Sequence, residues 1–169
     1  MVTRLGSRTI CLAHIVRIFN LHGDEWDGAK ERRGWRSRYA GVGVRVGAEL
    51  IGGSMYELEP GDRLWPYHTH HANEEWLLVV SGTPTLRTPE GEQELSEGDV
   101  ACFRRGKAGA HQLSNRTGSP VRILMLSTLR APDIIEYPDS GKIGLDDATG
   151  EGFFMGRPGP DLDYWDGED

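Results

Sequence analysis

Gly61-Asp62-Arg63-Leu64-Trp65-Pro66-Tyr67-His68-Thr69-His70-His71-Ala72-Asn73-Glu74-Glu75-Trp76-Leu77-Leu78-Val79-Val80-Ser81-Gly82 is the stretch from which the rest of the chain can be read. Positions i and i+2 of a strand share a face, so His68 and His70 present two imidazoles to one point in space. Ala72-Asn73 allows a bend, and the apolar strand after it opens with two acids. One of Glu74 and Glu75 can be carried back towards the imidazoles while the other faces away, and alternation alone leaves the choice open. His111, which opens another expected strand, is a fourth candidate. Imidazole and carboxylate together suit Fe, Mn, Ni, Zn or Cu without choosing among them.

Outward from this stretch the punctuation is regular: Gly52-Gly53, Pro60-Gly61-Asp62, Ser81-Gly82, Pro89-Glu90-Gly91, Glu97-Gly98-Asp99, Gly106 and Thr117-Gly118-Ser119-Pro120. Turn signals at such intervals predict an all-β sandwich or barrel. The strands between them are expected at residues 54–58, 64–70, 75–80, 85–88, 92–95, 100–103, 111–115 and 121–129. The last is apolar on both faces and is expected to be central. Residues 85–88 and 92–95 read as a hairpin in which Gly91 supplies a positive φ.

The ends differ from the middle. Residues 24–38 are crowded with charge and read as an exposed loop within an N-terminal lead-in, 1–39. A barrel is expected over 40–130, and an extended tail over 131–169. The tail's Phe153, Phe154, Tyr164 and Trp165 would gain by packing on the barrel or on a second subunit. A homodimer is expected, because open sheet edges are usually covered.

The chain of 169 residues is long enough to bury most of its apolar surface as one domain without disulfides, and Cys11 and Cys102 make no disulfide or zinc-finger pattern. That favours a reduced, cytoplasmic setting. A formal charge of −7 disfavours nucleic acid as a partner and points to a small-molecule ligand. No apolar run approaches the ~20 residues of a membrane span.

Two motifs resemble those of the cupins. Gly61, His68-Thr69-His70, Glu75 and Gly82 follow the order of the first cupin motif, and Gly98-Asp99, Gly106 and His111 to Asn115 are similar to the second. The resemblance covers about residues 52–130 and implies a single cupin barrel, a double-stranded β-helix or jelly roll, with extended N- and C-terminal segments. It also implies ligation of one divalent transition metal ion by His68, His70, Glu75 and His111, with Asn115 as a structural partner near the site. Glu75 is preferred over Glu74 because its distance to Gly82 matches the family pattern. The departures are one extra residue between Gly61 and His68, Arg104 where proline is usual, and a longer loop at 106–110.

Among other residues, His71 reads as a rim group, while His14 and His22 read as surface groups. Tyr56, Trp65, Tyr67 and Trp76 are expected in the core rather than lining a pocket. Arg104, Arg105 and Lys107 are expected in a solvated loop, and Cys102 as a small buried hydrophobe. The functional expectation is a metal-dependent enzyme, an oxygenase, decarboxylase or isomerase acting on a small oxygenated compound. The alternative is a non-catalytic cupin module that binds or senses a small ligand.

Overall fold

The computed structural model describes residues 16–147 and 152–168. Thirteen strands follow one another: β1 Gly28–Lys30, β2 Ser37–Ala40, β3 Ile51–Leu58, β4 Thr69–His70, β5 Glu75–Ser81, β6 Thr85–Thr88, β7 Gly91–Glu94, β8 Val100–Phe103, β9 Gln112–Ser114, β10 Val121–Thr128, β11 Asp133–Tyr137, β12 Lys142–Asp146 and β13 Phe153–Gly156. One short helix, α1 (Val42–Val46), separates β2 from β3. No helix among the described residues is long and apolar enough to cross a membrane.

All strand pairs among the described residues are antiparallel. The largest sheet runs β1-β2-β3-β10-β5-β8, with the expected central strand, β10, between β3 and β5. A second sheet runs β7-β6-β9 and a third β13-β12-β11-β4. The second and third are joined across bridges Arg63↔Ser114 and His68↔His111. Leu58, Leu77, Val79, Ile123 and Met125 from the first sheet meet Leu86 and Leu113 from the second in one buried cluster, the filling of an all-β jelly-roll barrel.

The strand expected over 64–70 is reduced to β4 and the bridge at His68, with the other bridge at Arg63 just before it. Pro66 has no N–H to give to a ladder, so pairing is interrupted there and resumes at His68. The hairpin at 85–94 forms as read, with Thr88 opposite Gly91 and Gly91 at φ 129°. Residues 24–38, expected as a loop, contain β1 and the start of β2. They are laid on the barrel by the pairing of β2 with β3 and by Arg122 of β10, which lies over Trp26 and donates to the carbonyls of Leu21 and Gly23 just before the segment. Arg122 and Arg38 also grip the buried Glu57. Burial works to raise this carboxylate's pKa, and hydrogen bonds from the two arginines outweigh it and hold it below the usual range. The C-terminal segment contributes β11–β13, with β11 paired to β4, while Tyr164 and Trp165 stack edge to face and remain exposed.

Cys102 is exposed, contrary to the expectation of burial: it faces outward on β8, an edge strand, while the next residue, Phe103, faces the core. Cys11 and His14 lie outside the described residues.

Ile123 is wholly buried at the centre of β10, whereas Val100 on the edge strand is largely exposed. Ile123→Ala should cost about 2–5 kcal/mol in denaturant unfolding. Val100→Ala should stay within ~0.5 kcal/mol. Equal effects would contradict this placement of the core.

Candidate metal centre

A reciprocal pair of backbone hydrogen bonds, His68 N–H to His111 O at 3.1 Å and His111 N–H to His68 O at 2.9 Å, sets two of the candidate histidines side by side. Their ring centroids lie 4.7 Å apart. His70 follows on β4, two residues along and on the same face, and Glu75 opens β5 after the bend. The Glu75 Oε2 atom lies 3.3 Å from His70 Nε2, 3.4 Å from His111 Nε2 and 4.0 Å from His68 Nε2. His68, His70 and Glu75 form a mutually close set that could hold a metal ion, and His111 meets the same carboxylate oxygen.

The other nitrogen of each ring defines the tautomer. His68 Nδ1 donates to the Pro66 carbonyl at 2.9 Å, His111 Nδ1 to the Gly109 carbonyl at 2.9 Å, and His70 Nδ1 to Asp133 Oδ2 at 2.6 Å. A carbonyl or carboxylate only accepts, so each Nδ1 carries a hydrogen, and in the neutral rings of His68 and His111 Nε2 keeps a bare lone pair. Three Nε2 atoms thus face one carboxylate oxygen. In accord with this, Glu75 Oε2 and His111 Nε2 are buried without a hydrogen-bond partner. Such atoms normally cost stability unless something compensates them, and a cation at their centre meets all of them at once.

Burial sets the charge states. It lowers His68 to about 4, helped by the nearby His70, and His111 to about 3, helped by His68. Both rings are neutral at pH 7, the form able to ligate a metal. Burial raises the Glu75 carboxyl, with His70 working in the other direction.

The surroundings hold these groups in place. Phe103 stacks on His111 at 3.7 Å between centroids. At Gly109 an added Cβ would fall 1.7 Å from the Arg104 carbonyl oxygen, so only glycine lets this turn fold close enough to offer its carbonyl to His111. On the core side the cluster borders a cavity of about 10 Å³ between Trp65, Leu77, Phe103 and Met125, room for about one water. His70 is the most solvent-accessible of the four side chains, at 16%.

Glu74 points away and accepts from Trp76 Nε1 at 3.0 Å, so the bend separates the two acids as alternation requires. His71 sits at the rim, 3.3 Å from Glu136. His22, Arg104, Arg105 and Lys107 are exposed. Tyr67 is buried, Tyr56 and Trp65 pack against the core, and Trp76, expected inside, is exposed on the outer face of β5. Asn115 is structural, but it lies at the far end of β9 from His111. There its side chain ties Leu58, Thr117 and Ser119 together, and none of its hydrogen bonds reaches the cluster.

Asp133 was not evident from the sequence. It is almost fully buried and accepts from the backbone N–H groups of His71 and Ala72 and from Asn73 Nδ2, as well as from His70. Burial would raise its pKa, and these donors, Ala72 foremost, hold it low and ionised. No spacing rule links residue 133 to residue 70. The only local signal is an acid opening the β-branched pair Ile134-Ile135.

A cupin-domain family pattern matches residues 54–127. No curated protein matches the chain. Among solved structures, the sugar phosphate isomerase from a cupin superfamily of Silicibacter pomeroyi is 27% identical with a TM-score of 0.72, covering 83% of this chain and 92% of that one. A provisionally named sugar phosphate isomerase of Acidithiobacillus ferrooxidans is 25% identical with a TM-score of 0.69, covering 76% and 82%. A polyketide cyclase of Streptomyces resistomycificus, 23% identical over 63% and 71% with a TM-score of 0.50, has the same fold. The two glycine-bounded motifs thus lie on the barrel their order implies, and residues 54–127 of the chain are a cupin domain.

Proposed function

We propose that His68, His70, Glu75 and His111 hold one divalent transition metal ion and that the protein is a metal-dependent enzyme, an isomerase of a small oxygenated compound. The observation that supports metal binding is the convergence of three imidazole Nε2 atoms on the unpartnered Glu75 Oε2. Isomerisation, rather than oxygenation or decarboxylation, is favoured by the likeness to the two sugar phosphate isomerases at 25% and 27% identity. Fe, Mn, Ni, Zn and Cu all suit this donor set. When bound, such an ion supplies Lewis acidity, polarising a substrate oxygen.

The chain's own residues do the rest of the positioning. Pro66, Gly109 and Asp133 keep the Nδ1 hydrogens turned outward, and Glu75 supplies the negative charge. The edge at His70 is where a ligand meets the cluster, because the core side is closed around a cavity of about 10 Å³.

Metal analysis of protein purified without a histidine tag, followed by anaerobic assays on aldose and ketose phosphates, tests the reading. Turnover without oxygen is expected. Oxygen consumption with substrate points to an oxygenase, and ligand-induced thermal stabilisation without metal or turnover points to the binding module. Glu75→Ala should empty the site while Glu74→Ala leaves occupancy unchanged, and Asp133→Ala should weaken metal affinity about 10- to 100-fold. Equal occupancy in the two glutamate variants would refute the ligand set.

Acid should destabilise the chelated protein. The unfolded chain takes up protons on His68 and His111 near pH 6.5, and the folded chain only near 4 and 3. The unfolded state therefore binds more protons between these values, and stability falls as pH drops below 6.5. Two imidazoles give a slope of at most ~2.7 kcal/mol per pH unit. The raised Glu75 carboxyl acts in the opposite sense with one proton, so the net sign is unchanged. The melting temperature in chelator should fall between pH 6.5 and 4.5, and a flat profile would contradict the buried neutral pair.

Dimerisation, expected from the sequence, is supported by β13, an edge strand that exposes Phe153, Phe154 and Met155. We infer that two copies pair through this strand. Light scattering should give a dimer at micromolar concentration and a monomer for Phe154→Asp, whereas a wild-type monomer would overturn the pairing.

A further inference from the structure

Two cavities of about 480 and 330 Å³ meet at Tyr67 and Lys142, which line both. Their walls carry five cations: Lys107 and Lys142 in the larger, and Lys30, Arg32, Arg63 and again Lys142 in the smaller. None of the five makes an ion pair with a carboxylate among the described residues. The carboxylates of the same walls are already engaged. Asp139 takes both terminal nitrogens of Arg87, at 2.6 and 2.8 Å, and Glu136 faces His71 at 3.3 Å.

Several arginines outside the groove are neutralised by carboxylates: Arg36 by Asp62, Arg45 by Asp27, Arg116 by Glu92 and Arg122 by Glu57. Five unpaired cations around one concavity stand out in a protein of net charge −7. Like charges brought together repel unless an anion joins them. Two are also held in position by rings, Arg63 over Trp35 at 4.4 Å and Lys142 over Tyr137 at 5.0 Å. Stacking on a ring face leaves the N–H edge of a guanidinium free to donate.

We propose that this groove is an anion site that binds a phosphorylated small molecule through its phosphate, with Arg63 and Lys142 as principal donors. Phosphate suits the arrangement better than carboxylate, because several oxygens can each take a donor from a different side, the guanidinium in bidentate fashion and the ammonium groups as point charges. The volumes are those of a small-molecule site, and the acidic remainder of the surface repels a polyanion such as nucleic acid. The groove stands independently of the metal proposal, although it borders the cluster: Tyr137 of its wall lies over the His68 ring at 6.0 Å, and Pro66, which accepts from His68 Nδ1, lines it.

Titration of the full chain with inorganic phosphate, followed by tryptophan fluorescence and calorimetry, with and without chelator, tests the site. Saturable one-to-one binding is expected in both conditions, weakened at least fivefold in Arg63→Ala and in Lys142→Ala and unchanged in Arg116→Ala, whose side chain is paired outside the groove. Acetate at equal ionic strength should bind far more weakly. The proposal falls if phosphate does not saturate at millimolar concentration, if acetate binds as well, or if Arg116→Ala weakens binding as much as the groove variants.

Discussion

The two hydrogen bonds exchanged by the backbones of His68 and His111 are the constraint on which the rest of the arrangement depends. They join the second and third sheets where Pro66 has just broken the ladder, and they set the register that decides which side chains face inward. With this register, His70 falls on the same face as His68, and β5 returns after the bend with Glu75 rather than Glu74 turned towards them. A slip of one residue on either side would exchange the inward and outward sets.

Around that bridge the protein treats its buried charges unequally. Glu57 is answered by two arginines, Asp62 by Arg36, and Asp133 by amide donors and an imidazole. Glu75 alone among these carboxylates leaves a buried oxygen unanswered, although three imidazole nitrogens lie within 4.0 Å. The imbalance is local and specific, because the same fold satisfies the other acids by ordinary means.

The sequence was most informative where chemistry and periodicity coincide. The hairpin at Pro89-Glu90-Gly91, the central β10 and the inward histidines follow from turn residues and alternation that act within a few positions. Trp76 and Cys102 were misjudged because residue type suggested burial while both sit on outward-facing positions of strands at or beside a sheet edge. The loop expected at 24–38 became strands because β2 pairs with β3 and Arg122 holds the chain just before them from about a hundred residues away, contacts with no local signature. Asp133 was missed for the same reason: its partners are 60 or more residues upstream.

That distance affects how the protein matures. Asp133 opens β11, beyond the stretch 54–127 that carries the family pattern, yet it is the group that orients His70 and braces the bend before Glu75. Closing so long a loop is slow compared with forming a hairpin, so His70 acquires its final tautomer and aim only after the C-terminal strands have docked. A chain cut after β10 would hold all four cluster residues without the brace that aligns them, so the arrangement in the middle of the chain depends on a strand that lies outside the family pattern.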